Sequence, residues 1–200
     1  HTQFKEVTGL TMEAMGELEY YIIADDEEMY ATPDQKGYHE SAPFNKFADL
    51  RNEAMRLIAQ CGGLIKYGHS EVGNFSQEGK IYEQNEIEFQ PTDIEDAADQ
   101  LVVAKWVMRQ LAYQYGVTLT FAPKITVGKA GSGMHVHCKF SKNGQSMMTN
   151  NGELTDECRK AIAGYMIAGT SLTAFGNPHP LSFMRLVPHQ EAPTSLCWSF

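Results

Sequence analysis

Alternation of polar and apolar residues is the feature of this sequence that most limits its possible folds. In residues 17–20 (Glu-Leu-Glu-Tyr) and 86–89 (Glu-Ile-Glu-Phe), both carboxylates fall on one face of an extended strand. In residues 134–140 (Met-His-Val-His-Cys-Lys-Phe), the histidines and the lysine share a face, and the other face is apolar. This period of two predicts strands with one polar and one apolar face.

Other segments have the composition of strands. Their composition extends the strands that contain residues 17–20 and 86–89 to residues 17–24 and 84–89. It also predicts further strands at residues 64–72, 117–121, 183–187 and 194–200.

Three segments with a helical period separate these strands. Residues 47–61 repeat apolar side chains at helical spacing and stop at Gly62-Gly63. Residues 92–115 open with the capping-box pattern Thr-Asp-Ile-Glu and end at Gly116. Residues 155–175 form a third helix, which Gly176 and Pro178 close. We therefore predict an α+β fold, with a mostly antiparallel, curved sheet whose apolar face packs against helices and whose polar face lines a cavity or meets solvent.

Composition and charge exclude several classes of protein. The 200 residues include 16 Lys and Arg against 25 Asp and Glu, a formal net charge of −9. Such a balance argues against nucleic acid as a partner, because binding phosphates requires clustered basic residues. No apolar run approaches the roughly 20 residues of a membrane helix, and residues 1–10 lack the apolar core of a signal peptide.

The cysteines predict a reducing compartment. Their spacing contains no Cys-x-x-Cys pair, which excludes a zinc ribbon and does not suggest a disulfide framework; they are Cys61, Cys138, Cys158 and Cys197. We expect reduced, largely buried thiols in a cytoplasmic protein.

Five residues are candidates for one cluster on the polar face of the sheet: Glu17, Glu19, Glu71, Glu86 and His135. Each is ordinary by itself, since an acid on a strand is usually solvated and often protects an edge strand from aggregation. Together they would repel one another unless a cation neutralised them. Carboxylates with one imidazole suit Mg²⁺ or Mn²⁺, and Mg²⁺ held by carboxylates commonly binds phosphates such as those of ATP.

Two other interpretations fail on spacing. The pair His135-x-His137 is typical of iron or zinc oxygenase and cupin sites, but these need a carboxylate a few residues later, and Lys139 to Lys142 supply none. The glycine-rich residues 128–133 lack the Walker pattern, in which Gly-Lys-Ser/Thr precedes a helix. These glycines form either a tight turn into a strand or a place where backbone approaches a ligand.

Several motifs in order resemble glutamine synthetase, most closely the bacterial dodecameric type I enzyme. The run Gly131–His137 (Gly-Ser-Gly-Met-His-Val-His) resembles its signature Asn-Gly-Ser-Gly-Met-His-x-His. The other matching runs are Glu17–Tyr20, Lys36–Tyr38, His69–Val72, Gln84–Ile87 and Arg185–Pro193, so the resemblance covers residues 16–200.

The resemblance implies that residues 1–200 are the central part of a glutamine synthetase catalytic domain. The family's N-terminal β-grasp domain and the C-terminal part of the catalytic domain would be absent. Family subunits form rings, with active sites between neighbouring subunits. The implied reaction is the ATP-dependent ligation of ammonia to the γ-carboxylate of glutamate through γ-glutamyl phosphate, and the implied substrates are glutamate, ammonium and ATP.

The resemblance also implies residue roles. One Mg²⁺ or Mn²⁺, beside glutamate, would be held by Glu19, Glu71 and Glu86, and a second, beside the nucleotide, by Glu17 and His135. Roles in binding substrates would fall to His137 at the ATP phosphates, to Gly131 and Arg185 at glutamate, to Tyr38 and Glu71 at ammonium, and to Glu191 on a flap that closes over the intermediate.

Four departures from the family pattern leave the amine substrate open. Ala130 stands where the family usually has Asn, His189 replaces a flap Gly, Lys66 replaces an acid of some relatives, and residues 72–85 add length. The alternatives are a ligase of the same fold that joins γ-glutamyl groups to other amines or polyamines, and a non-catalytic assembly module. We predict negligible synthetase activity for the 200-residue chain by itself.

Overall fold

The computed structural model describes residues 1–188. The helices are α1 (Thr2–Thr8), α2 (Ala48–Gln60), α3 (Ile94–Gln114), α4 (Asp156–Ile167) and α5 (Gly169–Gly176), followed by a 3-10 helix at Pro180–Arg185. The strands are β1 (Thr11–Asp25), β2 (Ile65–Gln77), β3 (Lys80–Phe89), β4 (Thr92–Asp93), β5 (Thr118–Thr120), β6 (Met134–Lys142), β7 (Gln145–Ser146), β8 (Thr149–Asn150) and β9 (Glu153–Leu154).

Strand β1 is the centre of the main sheet. The strand order is β2-β3-β1-β6-β7, and β4 and β5 also pair with β1. All of these pairings are antiparallel. Along one edge of β1, β4 pairs with its beginning and β3 with the rest. Along the other edge, β6 pairs with the first part of β1 and β5 with a later part.

The hydrophobic core lies between the sheet and helices α2 and α3. Leu18, Tyr20 and Ile22 project from one face of β1, because alternate residues of a strand share a face. Their partners come from β3, α2 and α3, namely Ile87, Phe89, Leu50, Ala54, Ile58, Ala104, Val107, Met108 and Leu111. The odd-numbered residues of β1 therefore face away from the helices, and we call this side of the sheet the polar face.

The α+β fold with an antiparallel, curved sheet is confirmed by the structure. The strands predicted at 17–24, 64–72, 84–89, 117–121 and 134–140 are all present in whole or in large part. The extra length at residues 72–85 forms the ends of β2 and β3 and the turn between them. The strand predicted at residues 194–200 lies outside the described residues.

Three predicted elements differ from the structure. Residues 180–185 form a 3-10 helix instead of the strand predicted at 183–187, because Pro180 fixes the first turn and His179 Nδ1 accepts the Leu181 N–H at 3.2 Å. The helix predicted at 155–175 is broken at Ala168, which ends α4 and precedes α5. A glycine follows at position 169, and glycine weakens a helix.

The third difference concerns the start of α3. Asp93, and not Thr92, is its N-cap, and the Asp93 carboxylate accepts the Glu95 N–H at 3.2 Å. Thr92 instead pairs with β1 as part of β4.

Two further observations bear on the expectations from composition. Cys61 is exposed, which differs from the burial expected for the cysteines, while Cys138 is half-buried, Cys158 is buried, and Cys197 lies outside the described residues. No helix within residues 1–188 has the length and apolar character that would let it cross a membrane.

Candidate functional site

Three residues from neighbouring strands form the first row of the polar face. Glu19 of β1 lies opposite Glu86 of β3, and Glu86 lies opposite His69 of β2. All three are buried, and His69 Nε2 is 3.2 Å from Glu86 Oε2. Because like charges side by side on a sheet repel, the carboxylates of Glu19 and Glu86 favour a cation or a proton between them.

Glu17 is at the centre of the second row. It lies opposite Glu88 of β3 on one side and His135 of β6 on the other. Its Oε2 atom is 3.1 Å from His135 Nδ1, and its Oε1 atom is 2.8 Å from His137 Nε2. The structure thus brings Glu17 and His135 together and places His137 on the same carboxylate.

Glu71 lies in an irregular part of β2. The register with β3 shifts between Ser70 and Asn74, so Glu71 is outside the regular ladder. One Glu71 oxygen accepts the Val72 N–H at 2.9 Å, and the other is 3.9 Å from His69 Nδ1. Bulges of this kind redirect side chains near functional sites, and here the bulge points Glu71 toward the first row.

The same bulge holds the loop that carries Tyr38. The Gly37 N–H donates to the Val72 carbonyl at 3.2 Å, and the His39 N–H donates to the Ser70 carbonyl at 3.0 Å. The exposed Tyr38 ring lies edge-on to His69, with centroids 5.5 Å apart. Tyr38 therefore lies beside the bulge that contains Glu71.

The glycine-rich loop before β6 closes over Glu19. The Gly133 N–H donates to Glu19 Oε2 at 2.8 Å, and Gln84 Nε2 donates to the same oxygen at 3.1 Å. Gln84 Nε2 also donates to the Gly131 carbonyl at 2.9 Å. Gln84, which sequence reasoning did not include in the site, thus joins β3 to the loop.

Arg185 lies against the glycines of this loop. A Cβ atom added at Gly131 would be 2.7 Å from Arg185 Cγ, and one added at Gly133 would be 3.0 Å from Arg185 Nη2 and from His135 Nε2. Glu19, Gly133, His135 and Arg185 all line one cavity of about 520 Å³. The structure therefore places Gly131 and Arg185 together, at the end of the polar face that carries Glu19.

The electrostatics of the carboxylates fit a divalent cation. Burial, followed by the charges of Glu19 and Glu86, raises the pKa of Glu71 to about 7. Burial also raises the pKa of Glu19, and the charge of Glu86 adds to this effect. A set of buried carboxylate oxygens with raised pKa values is a donor set that suits Mg²⁺ or Mn²⁺, because a cation would remove the repulsion.

The most compact group of potential ligand atoms includes residues that sequence reasoning did not assign to the site. Among residues 1–188, only His69, Glu86 and Glu88 place three such atoms within 4.8 Å of one another. Glu19 and Glu71 are outside this group. Glu88 also accepts a hydrogen bond from Lys66 Nζ at 2.7 Å. The period of two that aligns Glu88 with Glu86 could have identified Glu88, whereas the contact of Lys66 depends on strand register.

Glu191, which was predicted to lie on a flap, is outside the described residues. The other predicted site residues lie on the polar face or at its margin, where Tyr38 and Gly131 are on loops and Arg185 ends the 3-10 helix.

Comparison with known proteins gives a consistent result. The family described as "Glutamine synthetase, catalytic domain" matches residues 2–200. The glutamine synthetase of Mycobacterium bovis is 36% identical over 173 residues, which cover 85% of this chain and 35% of that protein. A "3-hydroxylaminophenol mutase" of Cupriavidus pinatubonensis is 36% identical over 165 residues, covering 82% of this chain and 34% of that protein. The chain thus spans about a third of the length of these curated relatives.

A solved structure shows the same fold. The cryo-EM structure of Plasmodium falciparum glutamine synthetase superposes with a TM-score of 0.81 at 20% sequence identity. The match covers 94% of this chain and 42% of that chain.

Proposed function

The chain belongs to the glutamine synthetase family, and on that premise we propose that it forms part of the active site of an ATP-dependent glutamate–ammonia ligase. The reaction joins ammonia to the γ-carboxylate of glutamate through γ-glutamyl phosphate and gives glutamine. The observation that supports this proposal best is the interacting carboxylate set Glu19, Glu71 and Glu86 on one face of the sheet. The complete protein would assemble as an oligomeric ring, as the resemblance implies.

The donor set determines where divalent cations would bind. Glu19, Glu71 and Glu86 would hold one Mg²⁺ or Mn²⁺, and Glu17 and His135 would contribute to a second site. When bound, these cations neutralise phosphate charge during phosphoryl transfer from ATP. The carboxylates are already fixed by the Gly133 and Val72 N–H groups, so little reorganisation is needed on binding.

Arg185 and the glycine loop would bind glutamate. The guanidinium lies against Gly131 and Gly133, because the absence of side chains on this loop lets Arg185 approach its backbone closely. An arginine binds a carboxylate through paired hydrogen bonds, which orients the substrate as well as holding it. The exposed imidazole of His137, on the neighbouring strand, would reach the ATP phosphates.

Glu71 and Tyr38 would form the ammonium site. The Glu71 carboxylate would attract the ammonium cation, and a nearby carboxylate would take the proton that ammonium must lose before it attacks. Glu191 would belong to the flap that excludes water, since water would hydrolyse the acyl phosphate.

A calorimetric Mn²⁺ titration tests the metal assignment. We expect the chain to bind Mn²⁺ and Glu19→Gln to lose this binding, because the substitution keeps the shape but removes the charge. The matched control is Glu13→Gln, since Glu13 is on the same strand and pairs with Lys139 at 3.2 Å, away from the cluster. Equal binding by the unmodified chain and Glu19→Gln would contradict the assignment.

One observation favours a second candidate, a ligase for larger amines. Ala130 is buried and stands where the resemblance implies Asn, so its side chain offers no hydrogen bond at the glutamate turn. Its backbone contacts are instead made to Gln35 and Tyr21. An assay of the complete protein with ammonia and with polyamines, each with ATP and glutamate, separates the two candidates by which amine is consumed.

A further inference from the structure

We propose that Lys66 is a specificity-determining residue: by neutralising Glu88, it directs the cation that Glu86 binds toward Glu19 and Glu71 and away from His69 and Glu88. This inference rests on the proposed function, because it takes Glu86 as a metal ligand. The inference concerns which residues bind a cation together with Glu86. The resemblance to the family gives Lys66 no part in determining this.

The backbone of β2 delivers Lys66 to the polar face. The register with β3 shifts between Ile65 and Tyr67, so Lys66 is an extra residue in the strand. Its Nζ atom is 2.7 Å from Glu88 Oε2 and 5.0 Å from the centre of the Tyr67 ring. Strand β2 therefore has two irregularities, and each brings one charged side chain, Lys66 or Glu71, to the same group of acids.

Glu86 has two alternative sets of partners. His69 and Glu88 already place ligand atoms within 4.8 Å of those of Glu86, and all three residues are buried. One imidazole and two carboxylates can bind Mn²⁺, so this set would compete with Glu19 and Glu71 for a cation. Competition of this kind would move the metal away from the glycine loop and the cavity that Arg185 lines.

Lys66 removes the competition by supplying a permanent positive charge. The charge of Glu88 is balanced by Lys66, and a divalent cation between His69, Glu86 and Glu88 would be repelled by the ammonium group. The hydrogen bond to Glu88 raises the pKa of Lys66, and the charges of Glu17 and Glu86 also contribute, so the side chain stays charged near neutral pH. By contrast, the charges that act on Glu71 are those of Glu19, Glu86 and His69, and the charges that act on Glu19 are those of Glu86, His135 and Arg185.

A rescue experiment tests the inference. Glu19→Gln should bind Mn²⁺ weakly, and adding Lys66→Met should restore binding through His69, Glu86 and Glu88. We expect the Glu19→Gln/Lys66→Met double variant to bind Mn²⁺ at least about tenfold more tightly than Glu19→Gln in a calorimetric titration. A further Glu88→Gln substitution should abolish the gain, and Lys66→Arg in place of Lys66→Met should give none.

The control is Lys139→Met in the Glu19→Gln background. Lys139 is 44% exposed and pairs with Glu13, while Lys66 is 46% exposed, so the two substitutions remove equivalent charges. Two outcomes would overturn the inference. In the first, Lys139→Met increases Mn²⁺ affinity as much as Lys66→Met does, so that net charge explains the effect. In the second, Lys66→Met does not increase Mn²⁺ affinity. Failure of the proposed function has a different signature, because it appears as equal Mn²⁺ binding by the unmodified chain and Glu19→Gln.

Discussion

Glu19 and Gly133 exchange two hydrogen bonds. The Gly133 N–H donates to Glu19 Oε2 at 2.8 Å, and the Glu19 N–H donates to the Gly133 carbonyl at 3.3 Å. Both the backbone and the side chain of Glu19 are therefore fixed by the glycine-rich loop. The other carboxylate oxygen, Oε1, is 3.9 Å from His135 Nδ1, on the side where the two proposed metal sites meet.

Substitution of Gly133 by alanine should weaken metal binding more than it weakens the fold. The new methyl group would lie 3.0 Å from Arg185 Nη2 and 3.1 Å from Glu19 Oε1, so these side chains must move. We expect Mn²⁺ affinity to fall about tenfold, measured by calorimetry. Gly164→Ala is the control, because nothing lies within 4 Å of its added Cβ atom. Unchanged affinity in Gly133→Ala would mean that the loop does not position Glu19.

Replacement of Gln84 by methionine should destabilise the chain. The Gln84 amide donates to Glu19 and to the Gly131 carbonyl, and its oxygen accepts the buried Gly73 N–H at 3.0 Å. Methionine has a similar length but leaves these groups without their partner. We expect the free energy of unfolding in urea to fall by about 1–3 kcal/mol. Gln110→Met, on the exposed side of α3, should change it by less than about 0.5 kcal/mol.

The adjacent residues Tyr20 and Tyr21 should respond oppositely to replacement by phenylalanine. The Tyr21 hydroxyl donates to the Ala130 carbonyl at 2.9 Å, whereas the buried Tyr20 hydroxyl has no hydrogen-bond partner within residues 1–188. We expect Tyr21→Phe to lower the free energy of unfolding by about 1 kcal/mol and Tyr20→Phe to leave it unchanged or raise it. Thermal and urea unfolding measure both, and a large loss in Tyr20→Phe would show an ordered partner such as water.

The stability of the metal-free chain should depend on pH through Glu71. Its pKa rises from 4.5 to about 7 on folding, so between these values the folded chain binds more protons than the unfolded chain. Stability therefore falls as pH rises through this window. After allowance for solvent screening, we expect Glu71→Gln to remove about 1–2 kcal/mol of this decline.

Urea unfolding at the two ends of this pH window, in the presence of a chelator, measures the effect. Glu78→Gln, at the exposed turn between β2 and β3, is the control and should keep the slope of the unmodified chain. An identical slope in Glu71→Gln would show that Glu71 titrates normally in the folded chain.

Local sequence was enough to predict the polar face, because a strand's period of two depends only on its own residues. It placed Glu17 and Glu19 on one side of β1 and His135 and His137 on one side of β6. The antiparallel pairing then brings these faces together without any further information.

Features that depend on register could not be predicted in the same way. The pairing of Lys66 with Glu88 requires a bulge in β2, and the position of Tyr38 requires its loop to bond to a second bulge. The first bulge inserts one residue into β2 and the second inserts two, and no local pattern identifies where such insertions occur. The break at Ala168 was missed for a different reason, because the amphipathic pattern continues across it although a glycine follows at position 169.

The central position of β1 has a consequence for the order of folding. The hairpin of β2 and β3 joins neighbours in sequence, so it can form early and by itself. Strand β1 is synthesised before the other strands of the sheet, yet one of its edges is completed only by β6, whose pairing joins Thr11 to Ser141. Until more than a hundred residues have followed it, β1 carries an unpaired edge, and that interval is when association with other chains competes with folding.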